Sequence, residues 1–327
     1  MKNPRISVCI PTYNYARYLP KAVESVLNQD FTDFELIVID DHSPDNTAEV
    51  MESYVRHDER VRFSVNERNL GMVPNWNLCL ERARGEYVKF LFADDFHAST
   101  VALSLMSGVL DRHPDVVLVG SARQVVDESS QVKRVVSRFL DRSRHPGGKM
   151  VRRSLLEERN LVGEPSAVMF RRQAAVRGFD PAFRQLVDLE MWFHLLGQGS
   201  YYHLGTPIVA FREHGEQQTA HNAREGVLFE EMVRLNADYG RRPELVNLFW
   251  RWFLACQGGY RIEQLRSRNR SADGDLDRLA ENYGIRAVGP ASMALYRLIK
   301  PLLKGWCGYV ARSMRMQRLN EIGRLRQ

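Results

Sequence analysis

Two adjacent carboxylates follow an apolar run in the first third of the chain. The run extends from Tyr87 to Phe92, and Asp94 and Asp95 come just after it. A buried strand that presents acids at its carboxyl end forms a hard-oxygen site suited to Mg²⁺ or Mn²⁺. Such an ion commonly binds phosphate oxygens, where it offsets the charge that builds as a phosphate group departs. The alternative interpretation is a solvated Asp-Asp turn after a core strand.

A second pair of acids lies within a helical pattern. Apolar residues recur there at helical spacing, at Leu186, Leu189, Trp192, Phe193 and Leu196. Asp188 and Glu190 are two positions apart and do not share a helical face, so one of them must point elsewhere. One interpretation of Asp188 is a cap at the helix N-terminus, where its charge interacts favourably with the helix dipole.

The elements that must position these acids alternate between strand and helix. Strand patterns cover 5–10, 34–39, 61–65 and 87–92, and helical patterns cover 16–27, 47–55 and 73–83. This alternation indicates a mostly parallel α/β sheet, which binds ligands in the crevice at the carboxyl ends of its strands. We therefore expect Tyr13, Asp41 and Asp94 to converge. There is no GxGxxG after the first strand and no P-loop motif, so neither phosphate-binding fingerprint applies.

Further helices and strands are predicted from residue 100 onward. We predict a helix over 100–113, a strand over 116–119, and loops or a hairpin over 121–150. Two short strands are expected at 201–204 and 208–211. Helices are expected over 227–239, 245–256 and 275–283, with breaks at 241–243 and around Gly258 and Gly259.

Composition places the chain among globular proteins. It has 327 residues, of which 44% are hydrophobic and 26% charged, enough for one large domain with an appendage or for two domains. The four cysteines are far apart, which favours a reducing compartment and argues against a zinc module. The N-terminus enters a strand pattern without a signal peptide, and no apolar run reaches the length of a membrane span. We expect a cytoplasmic protein.

Positive charge is concentrated in the C-terminal third. Residues 222–327 carry 19 Lys and Arg against 11 Asp and Glu, a net charge of +8, whereas residues 1–221 carry a net charge of −2. From Ala291 onward apolar and basic residues are interleaved. This pattern fits an interfacial helix on an anionic membrane surface, and it fits equally an amphipathic helix packed on protein, including a second copy of the chain. Nucleic acid is not an expected partner, because no recognised binding module accompanies the charge.

Several short motifs, in order, resemble the family 2 glycosyltransferases, which have the GT-A fold. The stretch from Ile6 to Asn14 resembles the opening of that family. The motifs continue over 25–30, 34–45, 69–71 and 83–87 and end at Asp94 and Asp95. The resemblance covers roughly residues 5–220. It implies a GT-A catalytic domain over 1–221, with a mostly parallel sheet flanked by helices, and a helical region with a basic amphipathic tail over 222–327.

The resemblance also implies roles for individual residues. The residues that match donor-binding positions of the family are Pro11, Thr12, Tyr13, Asn14, Asp41, Arg68, Asp94 and Arg212. Tyr13 offers a stacking face, and Asp41 can accept a hydrogen bond from a base or a ribose hydroxyl. Asp94 matches the last acid of the DxD metal motif, whose first acid is replaced by Phe92. Asp95 is a second candidate for the metal, its alternative role being an N-cap for a helix from Ala98.

Two further segments resemble the family's catalytic motifs. Asp188 matches the general base that takes the acceptor's proton. The family usually has an acid at the preceding position, and this chain has Val187 there. Arg212 and His214 match the RxH ending, in a loop that closes over the donor. The resemblance implies that either can stabilise the departing diphosphate and that His214 can reach the metal. The alternative for His214 is a solvated loop histidine. Glu164 and Ser166 are expected near the sugar, with a turn and cap as the alternative for Ser166.

The resemblance therefore implies an inverting enzyme that uses Mn²⁺ or Mg²⁺ and a nucleoside-diphosphate sugar, with UDP as the expected nucleotide. The expected acceptor is a hydroxyl of a glycan or of a lipid-linked molecule in bacterial surface polysaccharide synthesis. The protein is expected in the cytoplasm or on the inner face of the cell membrane, and a homo-oligomer is compatible with the tail. The alternative is a nucleotide-sugar-binding assembly partner that has lost catalysis, because Phe92 and Val187 each replace an acid of the family.

Overall fold

A single large sheet with helices on its faces organises the first two thirds of the chain. The structure is a computed structural model, and it describes residues 3–139, 142–215, 227–242, 245, 247–268, 278, 280–281 and 289–303. The strands are β1 (Ile6–Thr12), β2 (Phe34–Asp40), β3 (Val61–Val65), β4 (Tyr87–Phe90), β5 (Phe96–His97), β6 (Val116–Val126), β7 (Val132–Val136), β8 (Ser143–His145), β9 (Val168–Arg171) and β10 (Ser200–Arg212).

Helices connect most of these strands. They are α1 (Leu19–Leu27), α2 (Thr47–His57), α3 (Met72–Arg82), α4 (Ala102–Arg112), α5 (Gly147–Glu157) and α6 (Val187–Leu196), followed by α7 (Val227–Tyr239) and α8 (Leu248–Arg268). Residues 290–303 are also helical. The predicted helix over 275–283 and the tail beyond residue 303 lie largely outside the described residues.

The strand order explains how distant motifs meet. Along the sheet the order is β3-β2-β1-β4-β9-β6-β10-β5, with β7 paired to β6 and β8 paired to β10. The β3, β2, β1 and β4 strands are parallel, and β1 and β2 are in register from Ile6 opposite Phe34 to Thr12 opposite Asp40. The predicted α/β fold with a central sheet flanked by helices is confirmed. The sheet is mixed, because β9 runs antiparallel to both of its neighbours.

Fully buried apolar residues hold the helices on the sheet. One core cluster joins Ile6, Val8 and Ile10 of β1 to Leu19 and Val23 of α1. Burying such side chains stabilises the fold by roughly 1.5–3 kcal/mol for each. Because both faces of the parallel strands are covered, β1 and β2 are buried along their whole length, which accounts for their continuous apolar sequences.

Three predictions about local structure differ from what is observed. The β6 strand continues to Val126, beyond the predicted 116–119, although its hairpin with β7 matches one of the two alternatives predicted for 121–150. The β10 strand is one irregular strand where two were expected. The α8 helix runs through Gly258 and Gly259 without a break. Each glycine weakens a helix by about 1 kcal/mol, but α8 also buries Phe253, Leu254 and Ile262, and this packing outweighs the weak propensity.

The chain divides into two compact units. The first comprises 1–147 and 160–227, and the second comprises 148–159 and 228–327. Within the second unit, Gln257 donates to the carbonyl oxygen of Leu155 at 2.9 Å and Arg261 pairs with Glu158. The proposed boundary at 221 falls outside the described residues and stays a prediction. Among the described helices, none combines the length and the apolarity that a membrane crossing requires.

Candidate functional site

A hydrogen bond joins the turn after β1 to the turn after β2. Tyr13 follows β1 and is 44% exposed, which leaves its ring available for stacking, whereas Pro11 and Thr12 are buried within the strand. Asn14 has φ +60° and its N–H donates to Ser43 Oγ at 2.9 Å. The turn that carries the predicted donor-binding residues of β1 is therefore fixed against the turn after β2.

Asp41 lies directly after β2 and is buried by a neighbouring loop. Its Oδ1 atom accepts from Asn66 Nδ2 and from the backbone N–H of Leu70, both at 2.8 Å. Its Oδ2 atom accepts from the backbone N–H of Gly71 at 2.9 Å. These bonds shape the loop that follows β3. Arg68 is exposed in the same loop, so the structure brings Arg68 to the rim that holds Asp41.

Asp94 and His214 meet although they come from different parts of the chain. His214 Nε2 lies 3.0 Å from Asp94 Oδ2, and both side chains are buried. The imidazole also packs on Tyr15 and Tyr18, with ring centroids 5.5 and 5.4 Å away. The solvated-loop interpretation of His214 is therefore wrong.

Arg212 joins the end of β10 to the acidic turn. Its backbone N–H donates to Asp95 Oδ1 and its Nε donates to the carbonyl oxygen of Asp94, both at 2.9 Å. Its Nη1 donates to the carbonyl oxygens of Asp127 and Glu128 at 3.0 and 2.7 Å. The described contacts of Arg212 thus fix this rim of the site, and its contact with a diphosphate stays a prediction.

Asp95 lies behind Asp94, in a site with little access to water. Burial and the adjacent charge of Asp94 raise the pKa of Asp95 well above its ordinary value. The Ser166 hydroxyl lies beside this carboxyl, although Oδ2 has no partner in normal hydrogen-bond geometry among the residues that the structure describes. No helix begins at Ala98, because α4 starts at Ala102, so the N-cap interpretation of Asp95 is wrong. The Oδ1 atom of Asp95 accepts from the backbone N–H of Arg212 and stabilises the end of β10 instead.

Asp188 lies in the first turn of α6 and is half-buried. Its Oδ2 accepts from Asn160 Nδ2 at 2.8 Å, and its Oδ1 accepts from the N–H of Leu189 at 2.7 Å. Burial, and next the charge of Glu164, raise the pKa of Asp188 to about 7. Leu186 occupies the N-cap position, so Asp188 is not the cap. One of the two acids was expected to point elsewhere, and it is Glu190, whose buried carboxylate pairs with the exposed Arg177 at 2.6 Å.

Charge interactions link the acids of these motifs in pairs. Asp94 acts electrostatically on Asp95, Glu164 acts on Asp95, and Glu164 also acts on Asp188. We call these four residues, which belong to the metal-motif turn, the loop before β9 and the start of α6, the acid row.

Three residues near this row were missed by sequence reasoning. Asn160 binds Asp188, Arg123 pairs with Glu164 at 2.6 Å, and Lys89 is fully buried and donates to the carbonyl oxygens of Phe90 and Ser166. A charged residue inside an apolar strand was the available signal for Lys89. Nothing local distinguished Asn160 or Arg123, because their partners lie on other elements.

Asp94 and His214 are the residues best placed to hold a divalent ion. Within the described ranges no group of three or more His, Cys, Asp or Glu side chains has the arrangement of a metal site. One carboxylate and one imidazole nevertheless suit Mn²⁺, which accepts oxygen and nitrogen ligands. An ion here would take its remaining ligands from water and from a phosphate-bearing substrate.

The sequence is similar to proteins from two bacteria. It is 37% identical over 204 residues to an uncharacterized protein of Mycobacterium tuberculosis, covering 59% of this chain and 62% of that protein. It is 29% identical over 196 residues to a putative teichuronic acid biosynthesis glycosyltransferase of Bacillus subtilis, covering 60% and 73% respectively. The chain spans 62% or less of the length of three of the curated relatives it matches.

The fold is similar to that of a solved structure from S. aureus. TarS 1-349 of S. aureus in complex with UDP-GlcNAc superposes with a TM-score of 0.64 at 18% sequence identity, covering 89% of this chain and 83% of the other. Residues 7–179, just over half of the chain, match the family model described as Glycosyl transferase family 2. This match covers the parallel strands β1 to β4 almost entirely, the acidic turn and the loop before β9. The chain therefore belongs to glycosyl transferase family 2.

Proposed function

We propose that this protein is an inverting glycosyltransferase. It moves a sugar from a nucleoside-diphosphate sugar to a hydroxyl of a glycan or lipid-linked acceptor during synthesis of bacterial surface polysaccharide. Membership of the family supports the reaction class. The structural neighbour that binds UDP-GlcNAc supports a UDP-sugar as donor, and the relative named for teichuronic acid biosynthesis supports a polysaccharide product.

The observation that carries this proposal is the row of acids from Asp94 to Asp188. A transfer from a sugar diphosphate needs compensation of negative charge at the leaving group and a base at the acceptor hydroxyl. Asp94 contacts His214, and pairwise charge interactions through Asp95 and Glu164 link Asp94 to Asp188. The proposal assigns charge compensation to the Asp94–His214 pair and proton abstraction to Asp188.

The reaction follows as a direct displacement. The acceptor oxygen attacks C1 of the sugar from the side opposite the diphosphate, and the bond between C1 and the diphosphate oxygen breaks with its electron pair leaving on the diphosphate. The acceptor proton passes to Asp188, and the configuration at C1 is inverted. Asp188 suits this role because its pKa of about 7 makes the ionised carboxylate a competent base at neutral pH.

Asp94 and His214 would hold a divalent ion, Mn²⁺ or Mg²⁺. Such an ion, when bound, neutralises charge on the departing diphosphate. Asp95 and Arg212 support the pair, because Asp95 binds the backbone of Arg212 two residues before His214. We assign donor contacts to the rim formed by Tyr13, whose ring is exposed, and to the exposed Arg68.

An apolar stripe on the C-terminal helix supports contact with a membrane surface. Leu298 and Leu302 are 69% and 71% exposed, whereas Tyr296 on the same helix is fully buried against Phe253 and Tyr260. The basic composition of residues 304–327 complements anionic lipid. We therefore propose that the helix at 290–303 rests on the anionic cytoplasmic face of the cell membrane, where a lipid-linked acceptor would be met.

The experiment is nucleotide release with a panel of UDP-, GDP- and dTDP-sugars, Mn²⁺, and polyprenyl-linked and free glycan acceptors. Asp188→Asn is expected to bind the donor like the wild type and to transfer about 10²–10⁴-fold more slowly. Transfer by Asp188→Asn at the wild-type rate would remove Asp188 from the mechanism. Donor binding with no turnover on any of the acceptors would favour the alternative, a nucleotide-sugar-binding assembly partner that has lost catalysis.

A further inference from the structure

The side chain of Asn160 connects Asp188 to the loop before β9. Its Nδ2 atom donates to Asp188 Oδ2 at 2.8 Å and to the carbonyl oxygen of Gly163 at 3.0 Å. Its Oδ1 atom accepts from the N–H groups of Val162 and Gly163 at 3.1 and 2.9 Å. One amide therefore closes the loop and holds the acid at the same time.

The α6 helix binds the same loop through a second residue. Trp192 is fully buried, and its Nε1 donates to the carbonyl oxygen of Gly163 at 2.9 Å. Asp188 and Trp192 are four positions apart, so they lie on the same side of α6 and both face the loop. Gly163 has φ +124°, a backbone conformation that only glycine adopts readily. The loop is thereby fixed relative to Asp188 from two directions.

Glu164 follows this loop glycine and places a second negative charge near Asp188. Its Oε1 accepts from Arg123 Nη2 at 2.6 Å, and Arg123 is itself buried on β6. Its Oε2 is buried and has no hydrogen-bond partner within the described parts of the chain. The ion pair with Arg123 therefore fixes the direction in which Glu164 points, and the charge of Glu164 adds to burial in raising the pKa of Asp188.

We propose that Asn160 and Glu164 are positioning residues for Asp188: Asn160 orients one carboxylate oxygen through its amide, and Glu164 places a like charge beside the carboxylate. The proposal rests on the proposed function, in which Asp188 takes the acceptor's proton. Charged groups near this end of α6, among the residues that the structure describes, include Glu190, which pairs with Arg177, Arg123, which pairs with Glu164, and the exposed Arg184, four positions before Asp188. The charge of Glu164 also acts on Asp95 of the acidic turn.

The two residues are expected to act on Asp188 in opposite directions. Asn160→Ala removes a hydrogen bond that favours the ionised carboxylate, so the acidic limb of the pH profile of kcat/KM should move up by about one pH unit. Glu164→Gln removes the like charge but keeps an amide oxygen that Arg123 can bind. Its limb should therefore move down by about one pH unit. The double variant should lie between the two.

The test is the transfer rate of the full-length protein from about pH 5 to about pH 9, with donor binding by calorimetry as the check on folding. Glu52→Gln is the matched control, because Glu52 is exposed on α2 and pairs only locally with Arg56; its limb should stay at the wild-type position. Opposite shifts would support the proposal. Limbs that coincide with the wild type, or that move in the same direction, would overturn it while leaving the proposed function intact. Wild-type transfer by Asp188→Asn would instead overturn the proposed function.

Discussion

The imidazole of His214 lies 3.0 Å from the carboxylate of Asp94, although 120 positions separate the two residues in the chain. The contact depends on the antiparallel pairing of β10 with β5, which aligns Ala210 with Phe96 and so carries the end of β10 past the acidic turn. The backbone bond from Arg212 to Asp95 then fixes the last residues before His214.

The first prediction concerns this pair. His214→Ala removes one of the two proposed ligands, so Mn²⁺-dependent binding of UDP should weaken by at least about tenfold. Asp94→Ala should weaken it further, because a carboxylate also supplies charge. Calorimetric titration of UDP with and without Mn²⁺ measures the effect. His57→Ala, at an exposed position of α2, is the control and should bind as the wild type does. Equal Mn²⁺ dependence in all these proteins would contradict the assignment.

The second prediction concerns Lys89 and stability. Burial lowers the pKa of Lys89 to about 7, against the attraction of Asp95, while the ordinary value is 10.5. Between these pH values the unfolded chain binds more protons at this residue than the folded chain does. The free energy of unfolding should therefore rise with pH across this window, on the order of 1 kcal/mol per pH unit. Below about pH 7 Lys89 is protonated in both states, so the slope vanishes and the destabilisation by the buried charge is at its full size.

A variant without Lys89 isolates the effect of this residue on the pH dependence of the free energy of unfolding. Lys89→Met should show a smaller rise in the free energy of unfolding between about pH 7 and about pH 9, as measured by urea denaturation. Lys133→Met, at an exposed position of β7, should keep the wild-type slope. Identical slopes for the wild type and Lys89→Met would show that Lys89 is not desolvated in the folded protein.

The third prediction concerns Gly85, which precedes β4. A Cβ atom at Gly85 would lie 2.5 Å from the backbone nitrogen of Ser7 and 2.7 Å from the carbonyl carbon of Ile6. Backbone atoms of a buried strand cannot move aside, so Gly85→Ala should destabilise the protein by about 2–3 kcal/mol. Gly108→Ala is the contrast: its Cβ meets only the flexible Arg112 guanidinium within α4, and stability should rise slightly. Thermal unfolding measures both variants, and an unchanged unfolding temperature for Gly85→Ala would contradict the prediction.

The fourth prediction concerns the C-terminal helix. Replacing Leu298 and Leu302 together by Asp puts charge on the proposed membrane-facing stripe, so co-sedimentation with anionic vesicles should fall at least about tenfold. Leu248→Asp is the control, because Leu248 is 80% exposed at the start of α8, away from that stripe in sequence. Sedimentation of the double variant at the wild-type level would exclude this stripe as the lipid contact. Binding to neutral vesicles alone would contradict the role of anionic lipid.

Local sequence determined the elements and the family. The β1 and β2 strands are mainly apolar because both of their faces are covered, and helical periodicity marks the helices between the strands. Short motifs at the strand ends then carried the resemblance that the family match bears out. The same motif reasoning led to the predicted roles of Asp94, Asp188 and His214, because each belongs to a motif of adjacent residues; Asp188 and His214 lie beyond the residues that the family model matches.

Only the tertiary structure decided which partners these residues have. Arg212 was expected at a diphosphate, but its described contacts are with Asp94, Asp95 and the 127–130 turn. Asn160 carries no signal in its own segment, yet it binds the side chain of Asp188, 28 positions away. Hydrogen bonds and charge interactions depend on distances across elements, and periodicity or motif spacing along the chain contains no information about those distances.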